Sequence, residues 1–280
     1  MSLKIGEINR MIVLRKTDIG YMLKEDEQEV FLHFNESDHQ PLEPDMVVDA
    51  FLYYDQKGRL AATLKKPYLT TSKGALLKVK DVLPSLGVFL DMGISKDLLL
   101  SKEDLPLNKK FWPEPMDMVY VQLKVKGKFV AKIPAKDELG FTPSEPLQRM
   151  SKVSAYVHKI IKDGLLLITE DGHFIFVHDS QIQDVYRIGQ KVNVKVTYES
   201  EKGYSGSLKV QKEVQLFEDA NLILSYLARH DVLPLTAQSS AEEVSKFFVM
   251  SKKAFKRAIG HLYKERKIDF INNQTVLLKK

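Results

Sequence analysis

The residues that could carry chemistry are few, and their spacing points to binding rather than catalysis. Seven histidines, at 33, 39, 158, 173, 178, 230 and 261, show no ligand spacing with Glu, and the chain has no Cys, so zinc is not expected. No Walker loop or dinucleotide fingerprint is present. GYSGS at 203–207 lacks the last glycine of a nucleophile elbow. No catalytic residue, metal or cofactor is therefore expected. Rings and cations remain. Phe31 and His33 alternate in one run, and Phe174, Phe176 and His178 in another, so each set shares one face of its strand. Exposed rings of this kind stack unpaired bases. Alternation does not choose between that accessible face and one turned into a core. Lys253, Lys256, Arg257 and Lys264 fall on one side of a helix, where they would meet phosphates.

The second set of rings lies in a hairpin that sets the pattern of the chain. In KDGLLLITEDGHFIFVHDSQI at 162–182, two apolar runs flank Asp171-Gly172. Gly takes positive φ at no steric cost, so a two-residue turn is predicted there. Weaker copies begin at Gly20 (GYMLKEDEQEVFLHFNES) and Gly87 (GVFLDMGISKDLLLSKED). Each copy is followed by a long alternating strand, at 47–54, 119–125 and 192–198. A turn then comes at Lys57-Gly58, Lys126-Gly127 or Lys202-Gly203, and another short run. A fixed series of strands recurring along one chain is an internal repeat. Five short strands per unit predict a small closed barrel, because closure removes the edges of so short a sheet.

LGVFLDMG at 86–93 and FVHDSQI at 176–182 resemble the signature of the S1 RNA-binding domain, an OB-fold barrel. The tandem array, WPEPMD at 112–117 and the basic C-terminal segment resemble the conserved virulence factor B family. That resemblance implies a mainly β chain with a small α+β domain. Three S1-like, OB-fold five-stranded barrels would stand in tandem, at 1–65, 66–140 and 147–212, followed by a C-terminal winged helix at 213–280. KPYLTTSKG at 66–74 reads as a linker, and 135–150 as a second joint.

In the S1 pattern a ring beside the first glycine, a His, and an Asp and an Arg around the last turn line the binding face. In the first unit His33, Asp55 and Arg59 match, while Tyr21 stands next to the aromatic position, which Met22 occupies. The second unit has Phe89 on its Gly-x-Phe strand and Lys128 after the last turn, but Ser101 where the His belongs. The third has His178-Asp179-Ser180, with Asp163 and Leu166 where rings are expected and Tyr204 in place of the basic residue. Trp112, the only Trp, lies beside Pro113 and Pro115 and is expected to pack and order a turn.

From about 213 the period becomes helical. Ala220, Ile223, Leu224 and Leu227 sit at i, i+3, i+4 and i+7. Ser240 and Glu243 form a capping box ahead of Val244, Phe247 and Phe248, and Ser251 caps a third helix with Phe255, Ala258, Ile259 and Leu262 as its apolar stripe. IDFI, Asn272-Asn273 and QTVLL then read as a hairpin, completing a winged helix. Residues 251–280 hold nine Lys and Arg against Glu265 and Asp269, so this segment alone exceeds the net +5 of the chain.

No run of 18 apolar residues suggests a membrane span, and MSLKIGEINRM lacks an apolar signal core. A cytoplasmic protein is expected. Three functions follow: a single-stranded RNA binder, with a post-transcriptional role implied by the family; a duplex DNA regulator led by the winged helix; and a non-catalytic protein-interaction scaffold.

Overall fold

The computed structural model describes residues 3–38, 40–55, 57–138, 143, 145–200, 203–209 and 212–278. His39, Lys202 of the third turn, much of the second joint, Lys279 and Lys280 lie outside the described residues. Two compact units divide the chain, residues 1–208 and 209–280.

The first unit holds three closed five-stranded barrels of one topology. Barrel 1 is β1 (Ile8–Lys16), β2 (Gly20–Glu25), β3 (Gln28–His33), β4 (Val47–Tyr54) and β5 (Leu60–Thr63). Barrel 2 is β6 (Ala75–Leu83), β7 (Gly87–Leu90), β8 (Leu98–Ser101), β9 (Met118–Val125) and β10 (Phe129–Lys132). Barrel 3 is β11 (Lys152–Ile161), β12 (Gly164–Ile168), β13 (Phe174–His178), β14 (Lys191–Ser200) and β15 (Gly203–Ser207). In each, three strands meander, the fifth runs parallel to the third, and the fourth closes against the first. The first strand carries a bulge at the same place each time, between Val13 and Arg15, Val79 and Asp81, and Val157 and Lys159. A bulge sharpens the twist that a barrel this small needs.

The glycine that opens each hairpin is required by close approach. A Cβ on Gly20, Gly87 or Gly164 would collide with the carbonyl oxygen of Leu32, Leu100 or Val177 on the neighbouring strand. The turn of the third hairpin differs from the expected two-residue form. Thr169 N–H donates to His173 O and Gly172 N–H to Thr169 O, so the loop spans Glu170, Asp171 and Gly172. Only Gly172 has positive φ, at 87°. That is a type I turn closed by one left-handed residue, which Asp171 can enter without strain.

The barrels pack as one body. The segment at 66–74 is no free linker: Leu69 is buried in a cluster shared by barrels 1 and 2, and Thr71 and Ser72 both donate to the Glu7 carboxylate. Phe51 of β4 meets Phe129 of β10 edge to face at 6.0 Å. Trp112 is 6% exposed, and its Nε1 donates to Pro106 O at 2.7 Å, so it serves packing and turn formation as expected. Between barrels 2 and 3, Tyr120, Tyr156, Ile168 and Phe174 form a separate buried cluster outside either barrel core.

The second unit is a winged helix. α1 (Lys212–His230), α2 (Ala241–Ser245) and α3 (Lys252–Lys264) precede the hairpin of β17 (Ile268–Ile271) and β18 (Gln274–Leu277). β16 (Val232–Leu233) adds a third strand against β18 that the sequence did not announce. Ile223, Leu227, Val244, Phe255, Ala258, Ile259 and Leu262 are its buried core. Both caps form: Ser240 accepts from Glu243 N–H in a full capping box, and Ser251 accepts from Ala254 N–H. Asn272 and Asn273 both take positive φ, 48° and 61°, in the tight turn of the wing.

Candidate nucleic-acid interface

Strand register superimposes the three barrel faces. Gly20, Gly87 and Gly164 stand opposite His33, Ser101 and His178. Two positions further along, on the same face, Met22 stands opposite Phe31, Phe89 opposite Leu99, and Leu166 opposite Phe176. Each outer face therefore carries one phenylalanine at the same cross-strand position, on either strand. All three rings are half-buried.

The histidines recur with the same geometry. His33 lies edge-on to Phe31 at 6.3 Å and 78°, and His178 to Phe176 at 6.3 Å and 82°. Each caps a short 3-10 turn: His33 Nδ1 accepts from Asn35 N–H, and His178 Nδ1 accepts from Ser180 N–H, both at 3.1 Å. A ring that accepts through Nδ1 carries its proton on Nε2 when neutral, leaving that N–H as an outward donor. Ser101 caps the equivalent turn in barrel 2, where its Oγ accepts from Glu103 N–H. Serine keeps the cap and removes the ring.

Asp55 builds the last turn of barrel 1. Its Oδ1 accepts from the amides of Lys57 and Arg59, and its Oδ2 accepts from Arg59 Nε at 2.8 Å. The Arg59 backbone N–H, helped by its guanidinium, holds the Asp55 carboxyl below the usual range. Arg59 remains largely exposed, with the pair holding it in place. The turn is braced from barrel 2, where Lys96 Nζ donates to Tyr54 O. In barrel 2, Lys128 is exposed. In barrel 3, Tyr204 is half-buried, accepting from Leu147 N–H through its hydroxyl and meeting His173 edge-on at 5.5 Å.

Two expected rings are not accessible. Tyr21 is 4% exposed, packs on Phe34 in the core of barrel 1, and accepts from Leu42 N–H. It stands one residue from Met22, and one residue on a strand reverses the face. Phe174 does share the outer face with Phe176 and His178, but barrel 2 covers that end of the strand, leaving it 6% exposed. The face was right; the neighbour that buries it was not visible.

In the winged helix, Lys253, Lys256, Arg257 and Lys264 are all exposed on α3, opposite its buried stripe. Tyr263 and Phe270 add an exposed ring pair, 5.3 Å apart and tilted 32°, that sequence reasoning missed. The signal existed: Tyr263 is seven residues after Lys256, two helical turns along the same face. Among the described residues, no cluster of His, Asp and Glu is arranged to hold a metal, and no helix is long and apolar enough to cross a membrane.

Residues 5–65 match the S1 domain family, 75–130 the "CvfB first S1-like domain", and 221–277 the "CvfB-like winged helix domain". These are nucleic-acid-binding families rather than catalytic ones. A solved structure described as a multidomain protein with nucleic acid binding domains from Streptococcus pneumoniae shares the fold, with a TM-score of 0.61 at 24% identity over 98% of both chains. The uncharacterized protein YitL of Bacillus subtilis is 35% identical over 95% of this chain and 91% of its own. Conserved virulence factor B of Staphylococcus aureus is 32% identical over 99% of this chain and 95% of its own. With two S1-type matches, the winged helix and full-length identity in agreement, the chain belongs to the conserved virulence factor B family.

Proposed function

We propose that the protein binds single-stranded RNA and acts in the cytoplasm on gene expression after transcription. The observation that carries this reading is the repeated Phe–His pair of barrels 1 and 3, held at 6.3 Å in both. Phe31, Phe89 and Phe176 offer one stacking ring per barrel, and base–aromatic stacking contributes ~1–3 kcal/mol per base. Unpaired bases reach such rings; bases inside a duplex do not. His33 and His178 offer Nε2–H donors, while Arg59 and Lys128 offer cations at the last turns of barrels 1 and 2. The exposed cations of α3 add phosphate contacts of no sequence preference. The basic α3 face also favours a second reading, duplex DNA led by the winged helix. Competition of single-stranded RNA, single-stranded DNA and duplex DNA for the full chain at equal salt separates them. RNA is expected to bind tightest; tighter binding to the duplex overturns the proposal.

A further inference from the structure

A cleft of about 660 Å³ opens where the segment at 66–74, barrel 2 and barrel 3 meet, and neither Phe–His pair lines it. Its walls include Tyr68, Lys73, Met118, Tyr120, Tyr156 and Glu170. The volume is that of an ordinary small-ligand site. Three tyrosines from three separate elements converge there.

One of them is open to solvent, and another has a polar end that packing does not explain. Tyr68 is 60% exposed, with its ring over Gly93, where a Cβ would come within 3.2 Å of it. The Tyr120 hydroxyl is buried against Gly74 and has no hydrogen-bond partner among the described residues. An orphaned buried hydroxyl is a cost that phenylalanine would avoid, so burial alone does not account for tyrosine there.

The charged groups define what fits. Tyr156 donates its hydroxyl to Glu170 Oε1 at 2.8 Å. Lys191 Nζ lies 5.5 Å over the Tyr156 ring and 4.0 Å from the same carboxylate. A planar ligand would meet an aromatic wall, a carboxylate that only accepts and the Lys73 ammonium, with the Lys191 ammonium next to that carboxylate at the rim. Guanine is the base with two adjacent donors, N1–H and the N2 amino group, on one edge. Adenine would turn its N1 acceptor toward the carboxylate, and uracil its carbonyls. A phosphate on the same ligand would find the lysines.

We propose that this cleft is a guanine nucleotide site, with Glu170 reading the base edge, Tyr68 stacking on its face, Tyr156 holding the Glu170 carboxylate, and Lys73 and Lys191 drawing the phosphate. The nucleotide is either free or one residue of an RNA strand. Calorimetric titration of the full chain with GMP, IMP and AMP tests the first source. A short oligoadenylate with one internal guanosine, compared with the all-adenine oligomer, tests the second. In at least one arm the guanine ligand is expected to bind ~10-fold or more tighter than its adenine counterpart, as a good two-point contact provides. IMP, which lacks the amino group, should fall between GMP and AMP if the free nucleotide is the ligand. Glu170→Gln should remove the guanine preference, whereas Tyr68→Ala, also at an exposed position, should weaken guanine and adenine ligands alike. His33→Ser with His178→Ser should leave it intact, which separates this cleft from the barrel faces. Equal binding of guanine and adenine ligands in both arms, or a preference that survives Glu170→Gln, overturns the proposal.

Discussion

Arg187 of barrel 3 grips Asp117 of barrel 2 at two points, Nε to Oδ2 at 2.7 Å and Nη2 to Oδ1 at 3.2 Å. Glu114 takes the same guanidinium at 3.1 Å, and the backbone follows suit, with Ile188 N–H donating to Phe111 O and Met118 N–H to Gly189 O. WPEPMD at 112–117 is thus a docking element: Trp112 anchors it in barrel 2, and Glu114 and Asp117 present charge to barrel 3. Asp117→Asn should lower stability by about 2 kcal/mol, because it removes the two-point, more buried counter-charge of a half-buried guanidinium and leaves only the exposed Glu114. Urea unfolding followed by Trp112 fluorescence measures it. Arg59→Ala, at the exposed pair with Asp55, should leave stability nearly unchanged.

Acid should loosen the same junction. His158 is 1% exposed, its Nε2 lies 2.9 Å from Pro134 O, and its ring sits beside Phe174. Burial pushes its pKa from 6.5 down to about 4. The unfolded chain therefore takes up a proton below 6.5 that the folded chain refuses. Stability is full above 6.5 and declines as the pH falls toward 4, by up to about 3 kcal/mol from this residue. In His158→Leu that share of the pH dependence should vanish, which denaturation at pH 7 and pH 4.5 would reveal.

The hairpin glycines divide into two kinds. Gly164→Ala should cost more than about 3 kcal/mol or prevent folding, since its Cβ meets the Val177 carbonyl across the strand pair. Gly58 also has positive φ, at 75°, but nothing lies within 4 Å of its Cβ position. Gly58→Ala should cost only the ~1–2 kcal/mol of a left-handed alanine. Thermal melts of the two variants compare them directly.

Serine at 33 and 178 isolates the rings from the caps. Ser101 already caps the equivalent turn. His33→Ser and His178→Ser should therefore leave the melting temperature nearly unchanged and weaken RNA binding. Loss of folding with no separate loss of affinity would make the histidines caps and nothing more.

Salt separates stacking from charge. Each phosphate contact steepens log K against log salt by ~0.7 for a single strand. Alanine at Lys253, Lys256, Arg257 and Lys264 together should flatten the slope by up to ~3. Phe31→Ala and Phe176→Ala should lower affinity by ~1–3 kcal/mol each and leave the slope alone. Filter binding of a polypyrimidine RNA across a salt series reads both.

Local chemistry made much of this chain legible without coordinates. The opening glycines, the alternating runs and the turns at Lys57-Gly58 and Lys126-Gly127 specify hairpins, because strand periodicity and positive φ are properties of neighbouring residues. The stripe at Phe255, Ala258, Ile259 and Leu262 and the caps at Ser240 and Ser251 specify helices for the same reason. The Phe–His alternation was likewise visible as a shared face. Whether a face is open depends on what lies against it, and that partner is distant in sequence. Phe174 is closed off by Tyr120 of barrel 2, Leu69 of the presumed linker is a core residue, and Asp117 waits seventy positions for Arg187. Only the packing of one barrel on the next decides which rings stay available to a ligand and which become the joint.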